Sequence, residues 1–127
     1  MELLCWFSST VHVHVAQCFR GERFTDDADV QDKLTESGKA RLAAAMVELD
    51  ETVARRGDYL NGSGISAADI FSIVAWRWIQ RLEIDCSALG HWSGKVRRDM
   101  ARPDIVRALD LESSTAPVIW ETRAEAG

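Results

Sequence analysis

The chain has 127 residues, 46% of them hydrophobic and 28% charged, which suits one globular domain that can bury a core without disulfide or metal staples. Fifteen Lys and Arg against 20 Asp and Glu leave a net charge of −5, which excludes a general nucleic-acid binder, since that needs a basic face to displace counterions. Three cysteines at no redox or zinc spacing point to a reduced, cytoplasmic setting, and the longest apolar stretch, Ile70 to Ile79, is too short to cross a membrane.

The start, Met1 to Phe7, is apolar but has no basic leader and no cleavage site, so it is not read as a secretory signal. The segment that follows carries two patterns. Thr10-Val11-His12-Val13-His14-Val15 alternates as a strand does, while Leu4, Phe7, Val11, Val15 and Phe19 recur at helical spacing. Every other segment reads as helix, and a lone strand has nothing to pair with, so a helix is predicted here. That choice also decides the chemistry of His12 and His14. On a strand both imidazoles share a face that can hold zinc. On a helix they lie about 200° apart and cannot share a metal. No third ligand stands at a characteristic spacing, so no metal site is expected.

A break is predicted from Gly21 to Asp32, then a helix from about Glu36 to Arg56. Leu42, Met46, Leu49 and Val53 form its stripe, Glu51 and Arg55 pair along it, and Gly57 closes it in a left-handed cap. After the turn Asn61-Gly62-Ser63-Gly64, Ser66 and Asp69 spell a short-armed capping box, with Ile65 and Ile70 placed to staple it. The helix beyond is apolar nearly all round, which predicts a buried central element in which Arg77 and Arg81 must find water or a partner. Helices are also predicted from about Ala88 to Ala101 and from Pro103 to Leu109, the latter opened by its proline. Lys95, Arg97, Arg98, Arg102 and Arg107 read as the solvated face of this region. The tail from Glu112 to Gly127, with Pro117 and Trp120, is expected to be loose.

No local signature supports a Cys–His nucleophile among Cys5, Cys18 and Cys86. The five tryptophans, Trp76 and Trp78 among them, read first as core. There is no glycine-rich phosphate loop. The residues alone thus define an acidic, soluble, all-α domain of open activity.

Three segments in order then carry a resemblance. Asp58-Tyr59-Leu60-Asn61-Gly62 with Ile65-Ser66-Ala67-Ala68-Asp69-Ile70-Phe71 and Arg77-Trp78 resembles the C-terminal helical domain of glutathione S-transferases. Ser8-Ser9-Thr10-Val11-His12 looks like the first helix of that domain in bacterial, beta-like members. Met100 to Leu109, around Arg102-Pro103, looks like its closing helix. The match covers residues 3–111.

The resemblance implies an all-α bundle of five to six helices over residues 1–111, followed by the tail 112–127. It implies a substrate-pocket and dimerisation domain that transfers glutathione to hydrophobic electrophiles once joined to a thioredoxin-like domain, of which this chain shows nothing. Ser9 then matches a glutathione-binding hydroxyl, and His12 and Trp78 match electrophile-pocket positions. Ser66 and Asp69 match the structural capping box. No catalytic residue and no metal ligand is assigned within the chain. Two positions depart from the pattern: Cys5 stands where such members often place Asn, and Val13 where a Lys often follows the His. The implied partners are glutathione as co-substrate, a small hydrophobic electrophile and a second copy of the chain, with no nucleic acid and no membrane. The face that would meet the thioredoxin-like half is expected to drive self-association. The alternative reading is a non-catalytic protein-interaction module on the same helical fold.

Overall fold

Buried residues at a constant spacing of four shape the first helix of the computed structural model, which describes residues 2–115, side chains through residue 112. Leu3, Phe7, Val11 and Val15 are all buried. In an α-helix four residues turn about 400°, so such a stripe would drift around the axis. The chain answers with a change of winding: α1 (Glu2–Trp6) runs into a π turn over Phe7–Val11 and on into α2 (His12–Phe19). The wider turn absorbs the drift and keeps the stripe on one side. The helical choice for this segment is therefore right, with Leu3 rather than Leu4 at the head of the stripe.

The chain divides into two compact units, Met1–Val96 and Arg97–Gly127. In the first, a short 3-10 turn (Gly21–Arg23) leads into α3, which spans Ala28–Arg56 and so begins eight residues before the predicted start. The Asp-rich stretch is a cap, not a breaker. The Asp27 carboxylate accepts from the amides of Asp29 at 2.9 Å and Val30 at 3.3 Å, and its charge meets the positive end of the helix dipole. Leu42, Ala45, Met46, Leu49 and Val53 form the buried stripe as expected. Gly57 ends the helix at φ +80°, ψ −143°, positive as predicted but outside the left-handed helical well, with its amide on Val53 O at 2.9 Å.

Gly38 marks where α3 crosses α2. A Cβ there would lie 2.7 Å from Cys18 Sγ and 3.1 Å from the His14 carbonyl oxygen. The Cys18 thiol donates to the Thr35 carbonyl at 3.6 Å across the same crossing.

Helix α4 spans Ala67–Arg81 and buries one side only: Ala68, Asp69, Ser72, Ile73, Ala75 and Ile79. The expectation of a helix buried all round fails on the other side, where Ile70 is 47% exposed and Phe71, Val74 and Trp78 are half-buried. The helix closes in a Schellman motif, with Glu83 N on Gln80 O at 3.0 Å and Ile84 N on Ile79 O at 3.3 Å. Glu83 occupies its left-handed position at φ 56°.

Helix α5 covers Gly90–Met100. Its N-terminus is capped from a distance: Asp50 of α3 accepts the Trp92 amide at 2.8 Å, and the Trp92 indole donates to Ser72 Oγ at 2.8 Å. In the second unit, α6 runs Pro103–Thr115, opened by its proline as predicted but continuing past Leu109. Arg102 holds Asp104 in a two-pronged ion pair, 3.2 and 3.3 Å, at its first turn. Pro117, Trp120 and the rest of the predicted tail beyond Thr115 lie outside the described residues. Among the described residues the fold is all-α, with no strand and no helix long and apolar enough to cross a membrane.

Candidate functional site

The two predicted electrophile-pocket residues meet. His12, the first residue of α2, lies parallel to Trp78 of α4, ring centroids 5.7 Å apart and planes 9° apart. Phe71 stands one heptad before Trp78 on the same side of α4, edge-on to it at 5.9 Å. Phe71 in turn stacks on Phe7 at 4.9 Å, and Phe7 meets Trp6 at 5.2 Å. The rings thus form a chain anchored in the core at Phe7 and open to solvent at His12. Sequence reasoning missed Phe7 and Phe71; the signal was their position, one on the four-residue stripe and one heptad from Trp78.

Ser9 sits on the π turn between Phe7 and His12 and is exposed. Its hydroxyl donates to the Cys5 carbonyl at 2.7 Å, as Ser8 does to Leu4 at 2.9 Å. The Ser9 oxygen therefore keeps its lone pairs for an incoming N–H donor. His14, two residues beyond His12, pairs instead with Gln17 Oε1 at 3.3 Å. Among the described residues no group of three or more His, Cys, Asp or Glu could hold a metal.

Two of the chain's three thiols, Cys18 and Cys86, are disfavoured as nucleophiles. Burial pushes the Cys18 thiol above its ordinary value, with Lys39 offsetting part of the rise. Burial and the Asp85 charge push Cys86 up as well. A raised thiol pKa leaves little thiolate at neutral pH. The ring chain presents flat apolar surface and one exposed imidazole. A groove at the Trp6 end of the ring chain, lined also by Glu2, Leu3, Glu48, Thr52, Arg55 and Arg56, lacks His12 and Trp78. Its cations are engaged by the protein, Arg55 on Thr52 Oγ1 at 3.3 Å and Arg56 on Leu60 O at 2.9 Å, so the aromatic face is the better candidate.

The capping box is present and is more than a cap. Asp69 is fully buried. Its carboxylate accepts from the Ser66 amide at 2.8 Å, the Ser66 hydroxyl at 2.9 Å and the Leu60 amide at 3.0 Å. The return contact, from the Asp69 amide to Ser66 Oγ, is the looser half of the box. Lys95 of α5 completes the set, its Nζ 2.7 Å from Asp69 Oδ1 and donating to the Asp58 carbonyl at 2.7 Å. Lys95 is 1% exposed, which corrects its reading as part of a solvated basic face; Arg97, Arg98 and Arg107 are exposed. Burial alone would raise the Asp69 carboxyl, but the bonds from Lys95, Leu60 and Ser66 outweigh it and hold the group below its ordinary value.

An all-helical unit with a buried capping box under an open aromatic face defines a class of helical domain. The chain belongs to the glutathione S-transferase C-terminal domain family, whose sequence model matches residues 10–102. That span includes His12, Ser66, Asp69 and Trp78, and Ser9 falls one residue before it. A glutathione transferase homologue from Sulfitobacter, solved with bound glutathione, shares the fold at a TM-score of 0.78 and 22% identity. The alignment covers 87% of this chain and 53% of that one, so the chain spans about half the length of that structure. No curated protein matches the chain.

Proposed function

We propose that this chain serves as the substrate-pocket and dimerisation domain of a glutathione S-transferase, working with a thioredoxin-like domain in the cytoplasm. The observation that carries the reading is the parallel His12–Trp78 stack, exposed at His12 and half-buried at Trp78, the two positions the family resemblance assigns to the electrophile. Conjugation needs a thiolate held against an electrophile, so placement carries much of the rate. In this reading Trp78, Phe71 and His12 hold a small hydrophobic electrophile in place. Ser9 accepts a hydrogen bond from the glutathione of the partner subunit. The thioredoxin-like domain binds most of the glutathione and activates its thiol. The glutathione in the Sulfitobacter structure supports the ligand class, and the family supports a homodimer.

The test is a calorimetric titration of the purified chain with glutathione and with an aromatic thioether of glutathione. Saturable binding of the thioether is expected, weakened tenfold or more, about 1.4 kcal/mol, by His12→Ala and by Trp78→Ala. Absence of binding, or binding indifferent to both substitutions, overturns the assignment of the face. Sedimentation of the same sample tests the dimer, and a monodisperse monomer at high concentration contradicts it.

A further inference from the structure

The loop between α3 and α4 holds a reactive dipeptide that neither the cap nor the aromatic face uses. Asn61, the chain's single asparagine, is followed by Gly62, and both are exposed. Gly62 adopts φ +114°, and nothing lies within 4 Å of the place a Cβ would occupy. Its amide donates only a long bond, 3.4 Å, to the Tyr59 carbonyl. The Asn61 side-chain amide is held as loosely, Nδ2 donating to Ser66 Oγ at 3.3 Å. Asparagine is among the chemically labile side chains, and a following glycine leaves the attacking nitrogen unscreened.

We propose that Asn61 is a site of covalent modification by deamidation, and that the product weakens the start of α4. The Gly62 nitrogen gives up its proton to solvent base and attacks Asn61 Cγ. A bond forms between that nitrogen and Cγ, the Cγ–Nδ2 bond breaks, and Nδ2 leaves as ammonia. Water then opens the cyclic imide. Cleavage at Cγ gives aspartate; cleavage at the main-chain carbonyl gives isoaspartate, with the backbone rerouted through Cβ and Cγ. The balance is one amide and one water converted to one carboxylic acid and one ammonia.

The consequence follows from the hydrogen-bond order. Asn61 Nδ2 donates to Ser66 Oγ, and Ser66 Oγ donates to Asp69 Oδ2 at 2.9 Å. A carboxylate at residue 61 has no proton to give Ser66. It competes for the Ser66 hydroxyl proton and sets a second negative charge beside the cap of Asp69. Isoaspartate also lengthens the backbone next to Leu60, whose amide is one of the Asp69 donors.

The experiment incubates the purified chain at mildly alkaline pH beside an unfolded peptide of residues 57–66, and maps both by mass and by isoaspartate assay. Expected is loss of the Asn61 amide to a mixture of aspartate and isoaspartate, with ammonia released, while an Asn61→Gln chain keeps its mass. Survival of Asn61 in the folded chain after the free peptide has converted overturns the site. Asn61→Asp supplies one product directly and is expected to melt at a lower temperature than the unmodified chain. An unchanged melting temperature overturns the link to the cap.

Discussion

Helix α4 is closed at one end and open along one side. At its N-terminus every polar atom of Asp69 and Lys95 is buried and partnered. Along its outer side Trp78 and Phe71 stay half-exposed and His12 lies open on Trp78. The first region is a stability device: its groups cannot leave their partners without a large desolvation cost. The second leaves two large rings half-exposed, and in the proposed function that side is the binding face. Substitutions that separate stability from ligand binding test this division.

The largest effect on stability is expected at Asp69. Replacing it with Ala strands the Lys95 ammonium in the core, and breaking a buried pair on one side costs about 3–5 kcal/mol. Urea unfolding checks this; a loss under 1 kcal/mol would sink the division. The same group sets an acid limit. Its pKa is lowered in the folded chain, so its contribution is complete above the ordinary carboxylate value of about 4 and is lost as pH falls through the lower folded value. Unfolding midpoints followed down from neutral pH are expected to drop in that acid range, less steeply in Asp69→Asn, which starts from lower stability.

Next comes the α2–α3 crossing. Gly38→Ala gains helix propensity of about 1 kcal/mol but drives a methyl to 2.7 Å from Cys18 Sγ, an overpacking that costs about 1–3 kcal/mol. Net destabilisation is expected. Adding Cys18→Ala recovers part of it, because the His14 carbonyl at 3.1 Å remains in the way. Full additivity of the two changes in a double-mutant cycle would show that the crossing is not tight.

A smaller effect of opposite sign is expected at Glu83. It holds φ 56° in the Schellman turn after α4. A Cβ strains that conformation and glycine does not. Glu83→Gly is expected to raise stability by about 0.5–1 kcal/mol, read as a higher denaturant midpoint at unchanged slope.

Legibility tracks the distance over which the physics acts. The box of Ser66 and Asp69, the positive φ of Gly57 and the proline start of α6 were readable because each is settled within a few residues. The early start of α3 was lost because consecutive aspartates look like a breaker until one of them is seen to cap. Lys95 looked solvated, since nothing in its neighbourhood announces a carboxylate from another helix. The Asp50 bond to Trp92, 42 residues away, is hidden for the same reason. Pairing of His12 with Trp78 came from family likeness alone, and the π turn was signalled only by a stripe too regular for an α-helix.

The smallest effect on stability is expected at His12, and it bears hardest on the comparison. The side chain is exposed and its described contact is the face of Trp78. Surface substitutions of this kind stay within about 0.5 kcal/mol, so His12→Ala is expected to unfold with the parent chain. Loss of the stack also frees one face of the Trp78 indole, so a change in tryptophan emission is expected even without ligand. If the variant folds as the parent does but binds the aromatic thioether at least tenfold more weakly, a difference of about 1.4 kcal/mol, ring and ligand share the face. If it loses several kcal/mol of stability instead, His12 belongs with Asp69 as a structural residue, and the open side of α4 is a second closed one.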